Sequence, residues 1–169
     1  MRDVLTGLES YDVFLENLRQ AIEQIEENSI AVIYTDIKHF KYINDTYGYQ
    51  VGDALLKDFV KEISGEKTPG ICCARVYSDN FVSAMWVDKG RSHEDLRNAI
   101  HELNLSWETK FREKYLNSQL KFCTGISLIN KECRNMDAET AVSNANLARK
   151  VAKEMEEDCC VLFDQSMME

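Results

Sequence analysis

The sequence predicts an α+β fold, a mixed sheet with helices packed over it. Segments with helical apolar periodicity alternate with short β-rich runs along most of the chain. Two of those runs are separated by only a few polar residues, which makes them a hairpin rather than a crossover and argues against an all-parallel doubly wound sheet. The chain has a single proline, Pro69, and no repeat, low-complexity stretch or Gly/Ser linker that would divide it. With 169 residues, 44% of them hydrophobic, it is long enough to bury one core. Residues 1–169 are therefore read as one domain.

Each element has its own signal. Phe14, Leu18, Ile22 and Ile25 share one helical face, with Ser10 as the N-cap. Ala31 to Tyr34 reads as a buried strand ending at Asp36. Val51, Leu55, Phe59 and Ile63 keep a spacing of four, and Leu56 and Val60 widen that face into a long helix expected to begin at the Gly52-Asp53 pair. Cys72 to Val76 and Phe81 to Val87 form the hairpin, with Tyr77 to Asn80 around its turn. Ser92 and Asp95 resemble a capping box that opens a helix carrying Leu96, Ile100, Leu103, Trp107 and Phe111. Phe122 to Ile129 reads as a strand. Ala138, Ala141, Ala145, Ala148 and Ala152 make a small-residue stripe that lets a last long helix approach its neighbour closely. A terminal strand covers Cys159 to Phe163.

A net charge of −9 and a pI near 4.9 argue against an electrostatic grip on nucleic acid or an anionic membrane, and point to small molecules or proteins as partners. No apolar run approaches the roughly 18 to 20 residues that span a bilayer, and the N-terminus has no signal-peptide pattern, so no membrane partner is expected in this segment. The six cysteines include no C-x-x-C spacing and read as reduced thiols packed as small hydrophobes. His39, His93 and His101 have no spacing with other ligands that suggests a metal site.

Three segments carry a resemblance. TDIKHFKYINDTYGYQVGD, Thr35 to Asp53, resembles the GTP-binding segment of GGDEF domains, the family that makes cyclic di-GMP from two GTP molecules. DVLTGL, Asp3 to Leu8, matches that family's opening motif, and RVYSDNF, Arg75 to Phe81, stands where its signature lies. The resemblance implies the palm of the class III nucleotidyl cyclases, a central mixed sheet of about five strands flanked by helices. It also implies a site: Asn44 and Asp53 on the guanine edge, Lys41 and Lys153 on the phosphates, and Asp36 and Asp79 as the carboxylates for Mg²⁺. Carboxylates and amides suit guanine's mixed donor and acceptor edge, and Mg²⁺ takes one or two protein carboxylates beside phosphate oxygens.

The signature itself is altered, since Gly-Gly-Asp-Glu-Phe reads here as Tyr77, Ser78, Asp79, Asn80 and Phe81. Asn80 stands where active members carry glutamate; an amide neither takes a proton nor neutralises a metal, and losing a positioned acid-base group costs roughly 10²- to 10⁴-fold in rate. Tyr77 in place of glycine is expected to cost roughly 1 to 2 kcal/mol if it keeps a left-handed conformation. The family's product-inhibition motif is replaced by TPGI, Thr68 to Ile71, and its glycine-rich segment after Lys153 by EMEED, Glu154 to Asp158. The expectation is a degenerate GGDEF domain without cyclase activity that binds GTP and regulates an adjacent EAL-type domain on the cytoplasmic side, where GTP is supplied. FDQSMME, residues 163–169, resembles the join to such a domain, which makes 164–169 the start of a linker. The alternatives are an interaction module that binds no nucleotide, dimerising with Tyr77 plugging the pocket, and an active cyclase with an unorthodox signature, which would also need a homodimer.

Overall fold

The computed structural model describes residues 2–63, 70–115, 119–133, 135–156 and 159–168. Helix α1 (Tyr11–Glu23) starts at Ser10, whose Oγ accepts from the Val13 N–H, and buries Phe14, Leu18 and Ile22. Strand β1 (Ser29–Lys38) is longer than its apolar centre and carries Asp36 inside it. Two helices follow where one was expected: α2 (Phe40–Tyr47) and α3 (Tyr49–Ile63), parted at Gly48 with φ 92°. Gly52 and Asp53 therefore lie within α3, not at its start. Only Phe40 and Ile43 are buried in α2, too few positions for periodicity to show in the sequence.

Strands β2 (Gly70–Tyr77) and β3 (Asn80–Val87) form the hairpin, joined through Ser78 and Asp79. Helix α4 (His93–Lys114) is capped by Ser92, whose Oγ accepts from the Asp95 N–H at 3.0 Å. Strand β4 (Lys121–Ile129), helix α5 (Ala138–Lys153) and the short strand β5 (Cys160–Leu162) complete the order. The sheet runs β2-β3-β1-β4-β5, antiparallel except between β4 and β5. This is the five-stranded mixed sheet that the sequence led us to expect.

Alternation along β1 divides the core. Ile30, Val32 and Tyr34 pack with α1 and α5 residues including Phe14, Leu18, Ala141 and Ala145. Ile37 joins Phe40, Ile43, Leu55, Phe59 and Phe111 on the other side. There Phe59 stacks on Phe122 at 5.0 Å and meets the edges of Phe81 at 4.9 Å and Trp107 at 5.4 Å. Such aromatic pairs are worth roughly 0.5 to 1.5 kcal/mol beyond the area they bury. Phe81, the last residue of the signature, is thus a core anchor for the hairpin.

Helix α5 lies on β4 at backbone distance. A Cβ at Gly125 would stand 2.0 Å from the Ala145 carbonyl oxygen and 2.2 Å from the Arg149 nitrogen. Ala141, Ala145, Ala148 and Ala152 are all fully buried, so the alanine stripe serves the approach that its spacing implied. All six cysteines are free, and burial raises the Cys72, Cys73 and Cys123 thiols to about 12. Among the described residues, no helix is long and apolar enough to cross a membrane. Because backbone rather than a flexible side chain faces Gly125, Gly125→Ala should destabilise the domain by about 3 kcal/mol or more in chemical denaturation.

Candidate functional site

The site forms where β1 leaves the core. Asp36 stands opposite Asn80 of β3 and Cys123 of β4, and its side chain shares the α5 face with Val32 and Tyr34. The last turns of α5 pass over it. Arg149 Nη1 donates to Asp36 Oδ2 at 2.8 Å, and Lys153 Nζ lies 3.0 Å from the same oxygen. Four residues apart, the two cations share a helix face. Asp36 and Arg149 are both buried, whereas the Lys153 side chain is 52% exposed. Arg149 is also held by Nε donating to Asn146 Oδ1 at 2.8 Å and by its guanidinium 5.4 Å over the Tyr34 ring. Lys38 Nζ donates to the Lys153 carbonyl at 3.2 Å, fixing the end of α5 to the strand.

Asp79, in the hairpin turn, hydrogen-bonds to Asp36. Burial, then that hydrogen bond and the Asp36 charge, raise the Asp79 carboxyl to about 7. At Asp36 burial opposes ionisation but is outweighed by the hydrogen bonds from Asp79 and Lys153 and the charges of Lys153 and Arg149, which lower its pKa. The carboxylates thus behave as a proton-sharing pair, with Asp36 the ionised member.

The turn takes its strain at Ser78, with φ 47°, and not at Tyr77, which stays in β2 and is 63% exposed. Positive φ at the first of two loop residues is the II′ hairpin pattern, a position where glycine is favoured. Tyr77 thereby avoids the cost that a left-handed conformation would carry: the loop is only two residues long, so the ladder keeps Tyr77 paired with Asn80. Arg75 Nε donates to the Ser78 carbonyl at 2.7 Å, and its Nη1 lies 3.4 Å from Asp3 Oδ2. Asp3 in turn accepts from the Thr6 N–H at 2.8 Å and the Thr6 hydroxyl at 2.6 Å. The opening motif and the signature turn are therefore one connected structure.

Asn80 is buried, and its Oδ1 has no hydrogen-bond partner among the described residues. Asn44 Oδ1 is likewise orphaned, pressed against Gly52, where a Cβ would lie 1.9 Å from it. A buried acceptor without a donor costs roughly 1 to 3 kcal/mol. Asp53 is exposed on α3 and Lys41 exposed in the first turn of α2. The structure thus joins Asp36, Asp79 and Lys153 directly, sets Asn80 across the ladder from Asp36, and keeps Asn44 and Asp53 on the α2 and α3 helices. Thr68, Pro69, Glu157 and Asp158 lie outside the described residues, so the TPGI and EMEED windows are seen only in part.

Sequence reasoning passed over Arg149 and the packing role of Gly52. Arg149 left one signal, a charge four residues before Lys153 within the small-residue helix. Asp36→Asn, which leaves that guanidinium buried without its counter-charge, should cost about 3 to 5 kcal/mol in denaturant unfolding. The pH dependence has two parts. Asp79 titrates near 7 when folded but near the ordinary value of about 4 when unfolded, so the folded state holds more protons between the two. Its contribution to stability therefore falls as pH rises from about 4 to about 7 and is level above that. Asp36, lowered on folding, stabilises above the usual carboxylate range and loses that contribution as acid protonates it. Asp79→Asn should flatten the decline between pH 4 and 7 in a series of denaturation curves, with the acid limb retained.

Comparison with known proteins bears on this geometry. The family model described as "Diguanylate cyclase, GGDEF domain" matches residues 1–159. An uncharacterized signaling protein of Caulobacter vibrioides is 31% identical over 158 residues, 90% of this chain but 19% of its own length. The cyclic di-GMP phosphodiesterase NbdA of Pseudomonas aeruginosa is 28% identical over 172 residues, 98% of this chain and 21% of its own length. The chain thus spans about a fifth of these relatives. A crystal structure of a sensory box/GGDEF family protein from Caulobacter crescentus superposes with a TM-score of 0.71 at 29% identity, covering 90% of this chain and 97% of that one. With the family model matched over residues 1–159 and this likeness in sequence and fold, the chain belongs to the GGDEF domain family.

Proposed function

We propose that this is a catalytically silent GGDEF domain in cyclic di-GMP signalling, which binds GTP and regulates an adjacent EAL-type domain. The observation that carries the reading is the contrast between the two ends of the site. At the guanine end, Asn44 has an acceptor with no donor, Gly52 leaves room for that amide, and Asp53 offers an exposed carboxylate on the same helix. A half-turn of the Asn44 amide would present its oxygen to a guanine N–H. At the reacting end, attack of a 3′-hydroxyl on an α-phosphate needs a proton acceptor and charge neutralisation. Asn80 supplies neither, and the Asp36 carboxylate is already engaged by Arg149, Lys153 and Asp79.

Members of the family generally use Mg²⁺ with GTP, and the donor set here does not fit that ion. Mg²⁺ demands near-ideal octahedral oxygen ligation, and the carboxylate that would lead it accepts instead from two side-chain cations. Lys153 is exposed enough to swing away. Arg149 is not, since it is buried and held by Asn146 and Tyr34 as well as Asp36. The regulatory role draws support from NbdA, a phosphodiesterase by name that aligns along nearly all of this chain. Cytoplasmic placement rests on the supply of GTP and on the free cysteines.

Calorimetric titration with GTP, with ATP as the control, tests the reading. Guanine-selective binding with no cyclic di-GMP on prolonged incubation is expected; product formation would establish a working cyclase, and absence of binding would leave an interaction or dimerisation module. Gly52→Ala should separate recognition from folding. Its methyl displaces the flexible end of Asn44 and replaces glycine inside a helix, so the melt should hold while GTP affinity falls by about tenfold or more.

A further inference from the structure

We infer that Arg149 is the resident counter-charge of Asp36, taking the place of a divalent ion, so that phosphate binding falls to Lys153 and is independent of metal. The second half rests on the GTP-binding reading above; the first does not.

Three observations point the same way. Arg149 and Asp36 form a buried pair at 2.8 Å, and the guanidinium is fixed on two further sides, by Asn146 at 2.8 Å and by the Tyr34 ring. A planar guanidinium locked in this way is a permanent charge, since arginine does not lose its proton in proteins. Next, the residue opposite Asp36 in the ladder is the uncharged Asn80, so that position adds no carboxylate to Asp36 and Asp79. A buried cation at Arg149 and an uncharged amide at Asn80 both disfavour metal binding. Finally, the two cations divide the work by exposure. Arg149 is buried, whereas Lys153 is half in solvent and touches the same carboxylate oxygen. With Asp36 still neutralised by Arg149, Lys153 can turn outward to an incoming phosphate without leaving a bare buried carboxylate.

Mn²⁺ is the probe, read by the electron spin resonance signal of the free ion as the domain is titrated, and by the melting temperature in EDTA and in Mn²⁺. The wild-type domain should take up no Mn²⁺ and melt at the same temperature in both. Arg149→Met should uncover a Mn²⁺ site that a second change, Asp36→Asn, removes again; Arg149→Gln replaces it if the methionine variant fails to fold. Wild-type Mn²⁺ uptake that Asp36→Asn abolishes would overturn the inference, as would a folded Arg149 variant that still takes up none. GTP titration in EDTA and in Mg²⁺ decides the nucleotide half. Affinities within about twofold of each other are expected, and Lys153→Ala should weaken both by about tenfold or more. Binding that requires Mg²⁺ overturns metal independence, whereas no binding in either buffer removes the GTP reading and leaves the Mn²⁺ result to judge Arg149.

Discussion

The contact of α5 with β4 at Gly125 is the constraint on which the rest of the site depends. The helix can sit directly on the strand only because one partner has no side chain and the other offers alanines. Once seated, its last turns have nowhere to go but over the end of β1. Arg149 and Lys153 then reach Asp36 because they follow Ala145 on the same face at intervals of four. A helix standing a side chain's width further off would leave the Asp36 carboxylate buried without these cations, a state costly enough to favour its protonation. The electrostatics of the site are thus set by steric fit some distance from it.

The hairpin is placed by a separate device. Phe81 enters the aromatic group of Phe59, Trp107 and Phe122, while Arg75 ties the turn to the opening segment through Asp3 and Thr6. Apolar packing fixes the strand and a charged clasp fixes its tip. Between them the turn keeps a glycine-like conformation at Ser78, where the short polar side chain makes positive φ tolerable. Asp79 is thereby held against Asp36, and the raised pKa of one carboxyl is the electrostatic result.

Much of this was legible in the sequence, for identifiable reasons. The strands and α5 announce themselves as apolar runs and an alanine stripe, and the caps at Ser10 and Ser92 are local signals decided within three residues. What escaped depends on distant partners. Helix α2 buries only two side chains, so its existence shows in tertiary packing and not in period. Gly52 reads as a helix start until Asn44, across the bend at Gly48, is seen leaning on it. Arg149 reads as a solvated helix charge until its partner, 113 residues earlier, is brought beneath it. Which turn residue takes the positive φ also escaped, because loop length decides it, and the two-residue loop assigns it to Ser78.

The burial of Phe81 has an implication for how such chains are recognised. Within the five-residue signature, the phenylalanine belongs to the architecture, Tyr77 and Ser78 are exposed, and Asp79 and the buried Asn80 lie beside Asp36. Replacing one of the two exposed residues carries little risk to folding, while losing the ring would hollow out the layer beneath the sheet. Motif matching on this segment therefore reads two messages at once, and the phenylalanine is the part that reports shape. A match anchored on Phe81 identifies a scaffold; what the scaffold still does is written in Asp79, Asn80 and the helix that crosses above them.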